Sequence, residues 1–219
     1  MTIKVGDKLP DATLMTMTKD GPAPVKVADF FKGKKVALFA LPGAFTPTCS
    51  AKHLPGFIDH AADFKGKGVD AIACLSVNDA FVMGAWGKAQ NAGDKVLMLA
   101  DGNGTFTKEL GLEMDGSGFG LGTRSKRYAM VVQDGKVTAL NIENPGAFVD
   151  HRVERALDDL LVADLALLDA FFGREIVDDL LHDRRGGGAA LLVIIVEAGA
   201  LFLAPAVDRA QSVADILDS

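Results

Sequence analysis

The sequence predicts an α/β protein, a β-sheet of mixed direction flanked by helices, followed by a C-terminal extension that is partly helical. Three observations carry this. The short apolar runs V-A-L-F-A-L-P (36–42), V-D-A-I-A-C-L-S-V (69–77) and V-L-M-L-A (96–100) alternate with helix-start signals. The stretch R-Y-A-M-V-V-Q-D-G-K-V-T-A-L (127–140) sets D-G between two apolar segments, the mark of a two-residue hairpin turn. Near residue 149 the composition changes abruptly. Residues 1–148 carry 15 Lys, 2 Arg and 15 acidic residues, whereas residues 149–219 carry no Lys, 6 Arg and 14 acidic residues. The second stretch also lacks Asn, Thr, Met, Tyr, Trp and Cys. Two parts of different origin are therefore expected, 1–148 and 149–219, with the boundary near Phe148.

The elements follow in order. Residues 36–42 read as a buried strand closed by Pro42. T-P-T-C-S-A-K-H-L-P-G-F (46–57) begins a helix in which Thr46 or Thr48 is the expected cap, Pro47 suits the first turn and Pro55 bends the second. Residues 69–77 form a second strand, and Asn78 or Asp79 caps a helix running through Trp86. Residues 96–100 form a third strand, closed by the turn D-G-N-G and a short helix to Leu110. Strands alternating with helices and then a hairpin give an α/β sheet of mixed direction.

Bulk properties narrow the function. Half the residues are apolar (49%), enough for a sizeable core, and the net charge of −6 gives no electrostatic reason to expect a nucleic-acid partner. Two cysteines make no disulfide framework, and M-T-I-K-V-G-D-K-L-P is not a signal peptide. A reducing, cytoplasmic setting with free thiols is the default expectation. No cofactor is called for. The run D-G-S-G-F-G-L-G-T-R (115–124) has neither G-x-G-x-x-G spacing nor the Lys-Ser/Thr of a P-loop, and reads as a flexible loop.

Cys49 stands at the first turn of a helix leaving the end of a central strand, where unpaired N–H groups and the helix dipole favour an anion. A free thiol with a pKa of about 8.5 is only a few per cent thiolate at neutral pH, and the thiolate is the nucleophile. Making it mostly thiolate needs roughly 3.4 kcal/mol of preferential stabilisation. The dipole supplies about 0.3–1 kcal/mol, or about 2 when partly buried. A hydroxyl and a fixed cation must supply the rest. Thr46 is near in sequence, and the cation comes from elsewhere in the chain.

P42-x-x-x-T46-x-x-C49 resembles the active-site signature of the peroxiredoxins, thiol peroxidases on a thioredoxin-like fold. The longer stretch P-G-A-F-T-P-T-C-S-A-K-H-L-P-G-F (42–57) is similar to their type II subfamily, as are A-C-L-S-V-N-D-A-F-V (73–82), W-G (86–87) and R-Y-A-M-V-V-Q-D-G-K-V (127–137). The resemblance runs from about Thr2 to Phe148. It implies that Cys49 is the peroxidatic nucleophile, that Thr46 hydrogen-bonds the thiolate and the peroxide, that Pro42 shields the pocket, and that Arg127 is the cation. Arg124 ranks second, as a support for the pocket or a surface charge. With no cysteine beyond Cys74, the resemblance implies recycling by an outside thiol: glutathione with glutaredoxin, or thioredoxin. The substrates implied are hydrogen peroxide and alkyl hydroperoxides, and the assembly implied is a homodimer.

Two further residues have blander readings. Cys74 lies mid-strand and reads as a packed, inert thiol in preference to a resolving one. His53 is four residues after Cys49 and could share its helix face, but a structural or interface role is the expectation.

In the extension, V153, L157, L161, L165, L168 and F172 recur at helical steps, a shorter helical piece covers 174–182, and 189–207 is nearly all apolar. Glu197 in its middle costs on the order of 2.5–3.5 kcal/mol in a bilayer, so a buried or self-associating segment is expected in place of a membrane span. A shifted reading frame is another origin for such a composition. Two rival functions stay open: a peroxide sensor or chaperone-like binding protein using the same cysteine, and a peroxidase scaffold inactivated or tethered by the extension.

Overall fold

The structure, a computed structural model, describes residues 1–143. The boundary near Phe148 and the helical and apolar segments expected between 149 and 219 lie outside the described residues. Nine strands and five α-helices follow one another from residue 13 to residue 142: β1 Thr13–Thr18, β2 Gly21–Lys26, α1 Val27–Phe31, β3 Lys35–Ala40, α2 Leu54–Asp59, α3 Ala61–Gly66, β4 Ala71–Ser76, α4 Ala80–Ala89, β5 Leu97–Ala100, α5 Thr105–Glu109, β6 Glu113–Asp115, β7 Thr123–Ser125, β8 Tyr128–Gln133 and β9 Lys136–Ile142. Seven strands make one sheet in the order β2-β1-β5-β4-β3-β8-β9, and β6 and β7 pair separately. β3, β4 and β5 run parallel, while β8 is antiparallel to β3 and β9 to β8. This is the thioredoxin-like arrangement the resemblance implies.

The apolar runs read as strands because they are buried on both faces. Phe39, Cys74, Ala129 and Val131 face one layer, with Leu54, Phe57 and Ile58 of α2, Phe64 of α3 and Met83 and Trp86 of α4. Val36, Leu38, Leu75, Tyr128 and Met130 face the other, with Val27 and Phe31 of α1 and Phe106 of α5. Phe39 and Phe57 stack with centroids 3.9 Å apart, locking α2 to the central strand.

Asp79 caps α4 as expected, its carboxylate accepting from Val82 N at 2.9 Å, and the helix runs three residues past Trp86. Asp101, buried in the D-G-N-G turn, accepts from the N–H groups of Phe106 (3.2 Å) and Thr107 (2.8 Å) and so caps α5. The D-G hairpin is also present: Asp134 and Gly135 both take positive φ, 49° and 75°, as a tight two-residue turn requires.

Three expectations need correction. The glycine run 115–124 is not simply a loop: Glu113–Asp115 pairs with Thr123–Ser125 around a 3₁₀ turn, Ser117–Phe119. Neither threonine caps the helix after β3 through its side chain, because Thr48 is already helical (φ −62°, ψ −42°) and the Thr46 hydroxyl donates to Gly43 O at 2.8 Å. The disturbance linked to Pro55 is a widened turn and not a plain bend. Cys49–His53 is π-helical, with Leu54 N donating to Cys49 O, and regular α-helix resumes around the proline. A proline has no N–H to offer the preceding turn, so the carbonyls there are satisfied in a different register.

Candidate active site

The site is built where β3 gives way to its helix. Leu41, still buried, donates to Leu75 O at 3.2 Å, so the sheet holds the chain up to Pro42. Pro42 is half-buried at this edge. The chain then turns sharply through Gly43, Ala44 and Phe45 before becoming helical at residue 47. Phe45 has φ 61° and is 57% exposed. A bulky side chain in the left-handed region costs on the order of 1–3 kcal/mol, so its surroundings must hold it there. They do so from behind: Asn78 Oδ1 accepts from Ala44 N (3.0 Å) and from Ser76 Oγ (2.8 Å). Arg124 braces the same turn by donating to Leu121 O (2.8 Å) and Val77 O (3.1 Å), and its Nη1 lies against Gly43. Of the two readings for Arg124, support of the pocket is the one this geometry fits.

Cys49 begins the π-helical turn and is wholly buried (0%). Arg127 reaches it from across the sheet. The register Ala40↔Tyr128 puts residue 127 just beyond the end of β3, level with the start of the helix. Arg127 Nη1 donates to Cys49 Sγ at 3.2 Å and to His53 Nδ1 at 3.1 Å, while its Nε donates to Glu143 Oε2 at 2.9 Å. The Arg127 and Glu143 side chains are only 10% and 15% exposed, so the ion pair is partly desolvated and fixed in direction. Glu143 N also donates to Arg127 O at 2.9 Å, so backbone and side chain both join the two residues.

The pairing with Glu143 depends on an irregularity. Counted back from the turn pair Gln133↔Lys136, a regular hairpin would set Ile142 opposite Arg127. A bulge shifts the register between Val131 and Val132, so that Tyr128 faces Ile142 and Glu143 comes opposite Arg127. The extra residue is Thr138, whose hydroxyl donates to Val131 O at 3.2 Å. Sequence reasoning missed Glu143 for this reason, and only a one-residue excess on the second strand could have signalled it. It also expected a structural or interface role for His53, whereas the widened turn keeps residues 49 and 53 together against Arg127.

Of the other predicted residues, Thr46 belongs to the same turn but its one hydroxyl proton is committed to Gly43, not to Cys49. Cys74 lies on β4 opposite Phe39, wholly buried and free. Burial pushes its thiol pKa well above the ordinary value, and the nearby Cys49 charge adds to that. Trp86, the single tryptophan, donates from Nε1 to Ser50 Oγ at 3.0 Å, tying α4 to the residue after Cys49. The arrangement is a buried thiol at a helix start with a desolvated guanidinium on it, and it suits attack on a small polar electrophile whose leaving oxygen gains negative charge.

Residues 4–157 match the redoxin family. The chain is 56% identical to peroxiredoxin-2E-2, chloroplastic, of rice, over 73% of each chain. It is 51% identical to peroxiredoxin-2E, chloroplastic, of Arabidopsis thaliana, over 73% of this chain and 70% of that one. Among solved structures, that of reduced Prx3 from Vibrio vulnificus in complex with hydrogen peroxide is 57% identical with a TM-score of 0.69, over 73% of this chain and 99% of that one. These matches leave the C-terminal part uncovered. The cytoplasmic expectation is corrected by them, since the rice and Arabidopsis relatives are named as chloroplastic. Free thiols mark a reducing compartment without saying which one.

Proposed function

The chain belongs to the redoxin family as a type II peroxiredoxin, a thiol-dependent peroxidase, and from that premise we propose that Cys49 reduces hydrogen peroxide and small alkyl hydroperoxides and is recycled by an outside thiol. The observation that carries this is the Arg127 contact to Cys49 Sγ at 3.2 Å, held in direction by Glu143. The Cys49 thiolate attacks one peroxide oxygen along the O–O bond. An S–O bond forms, the O–O bond breaks, and the electron pair leaves with the distal oxygen as hydroxide or alkoxide, which takes a proton to give water or an alcohol. Arg127 and the N–H groups of the helix start face that developing charge. Thr46 takes part by offering its oxygen to the peroxide O–H, or by turning its proton from Gly43 towards the site. Pro42 closes the sheet side of the pocket against water.

The product is a sulfenic acid on Cys49. One outside thiol condenses with it, releasing water and leaving a mixed disulfide, and a second thiol displaces Cys49 as a thiol again. Glutathione with glutaredoxin, or thioredoxin, fits this one-cysteine cycle. Cys74 is a poor resolving group because it is buried and its thiol is held protonated. The proposal includes a homodimer, for which exposed Phe45, Phe81 and Phe119 offer apolar surface, and a plastid setting in keeping with the rice and Arabidopsis relatives.

The test is intact mass of the reduced protein after one equivalent of hydrogen peroxide with glutathione present, beside Cys49→Ser and Cys74→Ser. One glutathione added in wild type and Cys74→Ser, but not in Cys49→Ser, is the expected result. Loss of two hydrogens in wild type would mean that Cys49 and Cys74 pair, and the one-cysteine cycle would be wrong.

A further inference from the structure

We propose that His53 is a positioning residue that holds Arg127 on Cys49 only while its own imidazole is neutral, which makes the site sensitive to acid through a second group besides the thiol. This rests on Cys49 being the reacting thiol. A guanidinium has only donors. At 3.1 Å from Arg127 Nη1, His53 Nδ1 must therefore be the bare, accepting nitrogen, with the ring proton on Nε2. Protonation would turn Nδ1 into an N–H aimed at another N–H. It would also set a second positive charge beside Arg127, on a side chain that is itself buried.

The surroundings leave the ring little room to turn away. Phe39 of β3 and Phe57 of α2 face it edge-on, with centroids 5.1 and 5.6 Å from the imidazole. Among the described residues, Arg127 at the head of β8 contacts it and Cys49 lies one turn back. Glu143, at the end of β9, acts on it through Arg127. On protonation the guanidinium loses its acceptor on His53 while keeping its ion pair with Glu143, which favours its withdrawal from Sγ. The π-helical turn matters here, because it sets both residues 49 and 53 against one guanidinium nitrogen.

Two measurements test this. The first does not depend on activity: the ¹⁵N shifts of the His53 ring in the reduced full chain, assigned with His53→Asn. The neutral Nε2–H tautomer at pH 7.5 is expected, and a ring carrying its proton on Nδ1, or doubly protonated, overturns the proposal. The second is the rate of Cys49 oxidation by hydrogen peroxide between pH 4.5 and 8. Wild type should lose rate with a limiting slope of two protons in acid. His53→Asn, whose side-chain oxygen can accept at the Nδ1 position, should fall with a slope of one. His53→Leu removes the acceptor from a charged donor and should be slower by about tenfold to a hundredfold at pH 7.5, with His53→Asn recovering most of that loss. A slope of one in wild type, or equal rates for the Leu and Asn variants, sinks the proposal. If wild-type Cys49 does not react at all, the peroxidatic reading fails, while the ring tautomer still decides whether His53 holds Arg127.

Discussion

Replacing Arg127 by glutamine removes the charge on Cys49 while keeping a polar side chain of similar length. At 3.2 Å and an effective dielectric constant of about 20, two unit charges attract by about 5 kcal/mol. The guanidinium spreads its charge over three nitrogens and shares it with Glu143 at 2.9 Å, so the part felt by the reacting sulfur and the leaving oxygen is smaller. Losing one directed donor of this kind costs about 2.7–4 kcal/mol, or a factor of about 10² to 10³ in rate. The same change takes from Glu143, which is only 15% exposed, its 2.9 Å ion pair, and breaking a buried pair from one side costs up to about 3–5 kcal/mol of stability. The double variant Arg127→Gln/Glu143→Gln separates the two effects, since it removes both charges of the pair. Stopped-flow mixing with excess hydrogen peroxide, followed by Trp86 fluorescence through its bond to Ser50, gives the oxidation rate. Thermal melts give the stability. Both variants should react at least a hundredfold slower than wild type, and the double variant should recover most of the lost stability. An oxidation rate for Arg127→Gln within tenfold of wild type would refute the role given to this cation.

Other expectations are simpler. Glu143→Gln keeps a hydrogen-bond acceptor for Arg127 but not the ion pair, and should slow Cys49 oxidation by about tenfold, as expected where a charge-assisted bond becomes a neutral one. Phe57→Ala removes a ring stacked on Phe39 and should destabilise the fold by about 3–5 kcal/mol in urea unfolding, with an unchanged denaturant slope. Cys74→Ala should turn over peroxide with glutathione and glutaredoxin at the wild-type rate, because its thiol takes no part in the cycle. Tyr128, the single tyrosine, is buried, and burial first, then the charges of Asp101 and Cys74, push its phenol above the ordinary value. Absorbance at 295 nm should therefore stay flat through pH 10–11 while the protein is folded. Because the unfolded chain loses that proton first, stability should fall as the pH rises above about 10; phenolate absorbance growing in before unfolding would contradict this.

What could be read from the sequence was what lies close along it. The helix start at Cys49, the Asp79 cap and the D-G turn each depend on a few adjacent residues, and the structure has all three. Arg127 came only from the family resemblance, since nothing local to R-Y-A-M says that it meets residue 49. Its partners His53 and Glu143 were out of reach because one requires the widened turn and the other a one-residue slip in pairing. The pairing of β6 with β7 escaped for another reason: three residues a side are too few to show a period of two, and four glycines between 116 and 122 dominate the local signal. For Thr46 the structure adds a detail that no linear pattern predicts, the donation of its hydroxyl proton to the neighbouring carbonyl of Gly43.

The bulge at Thr138 makes this hairpin length-critical. In most surface connections a residue gained or lost is absorbed by the loop. Between the Asp134-Gly135 turn and Glu143, a single insertion would bring Ile142 opposite Arg127, replacing a carboxylate with an alkyl group, whereas loss of Thr138 would only remove the bulge and leave a regular hairpin with Glu143 still opposite Arg127. Substitutions along β9 can be numerous as long as the count is kept. Drift in this stretch is therefore expected to change residues freely without lengthening it, and a natural or engineered variant with one residue more here should fold around the same sheet yet have an unanchored guanidinium.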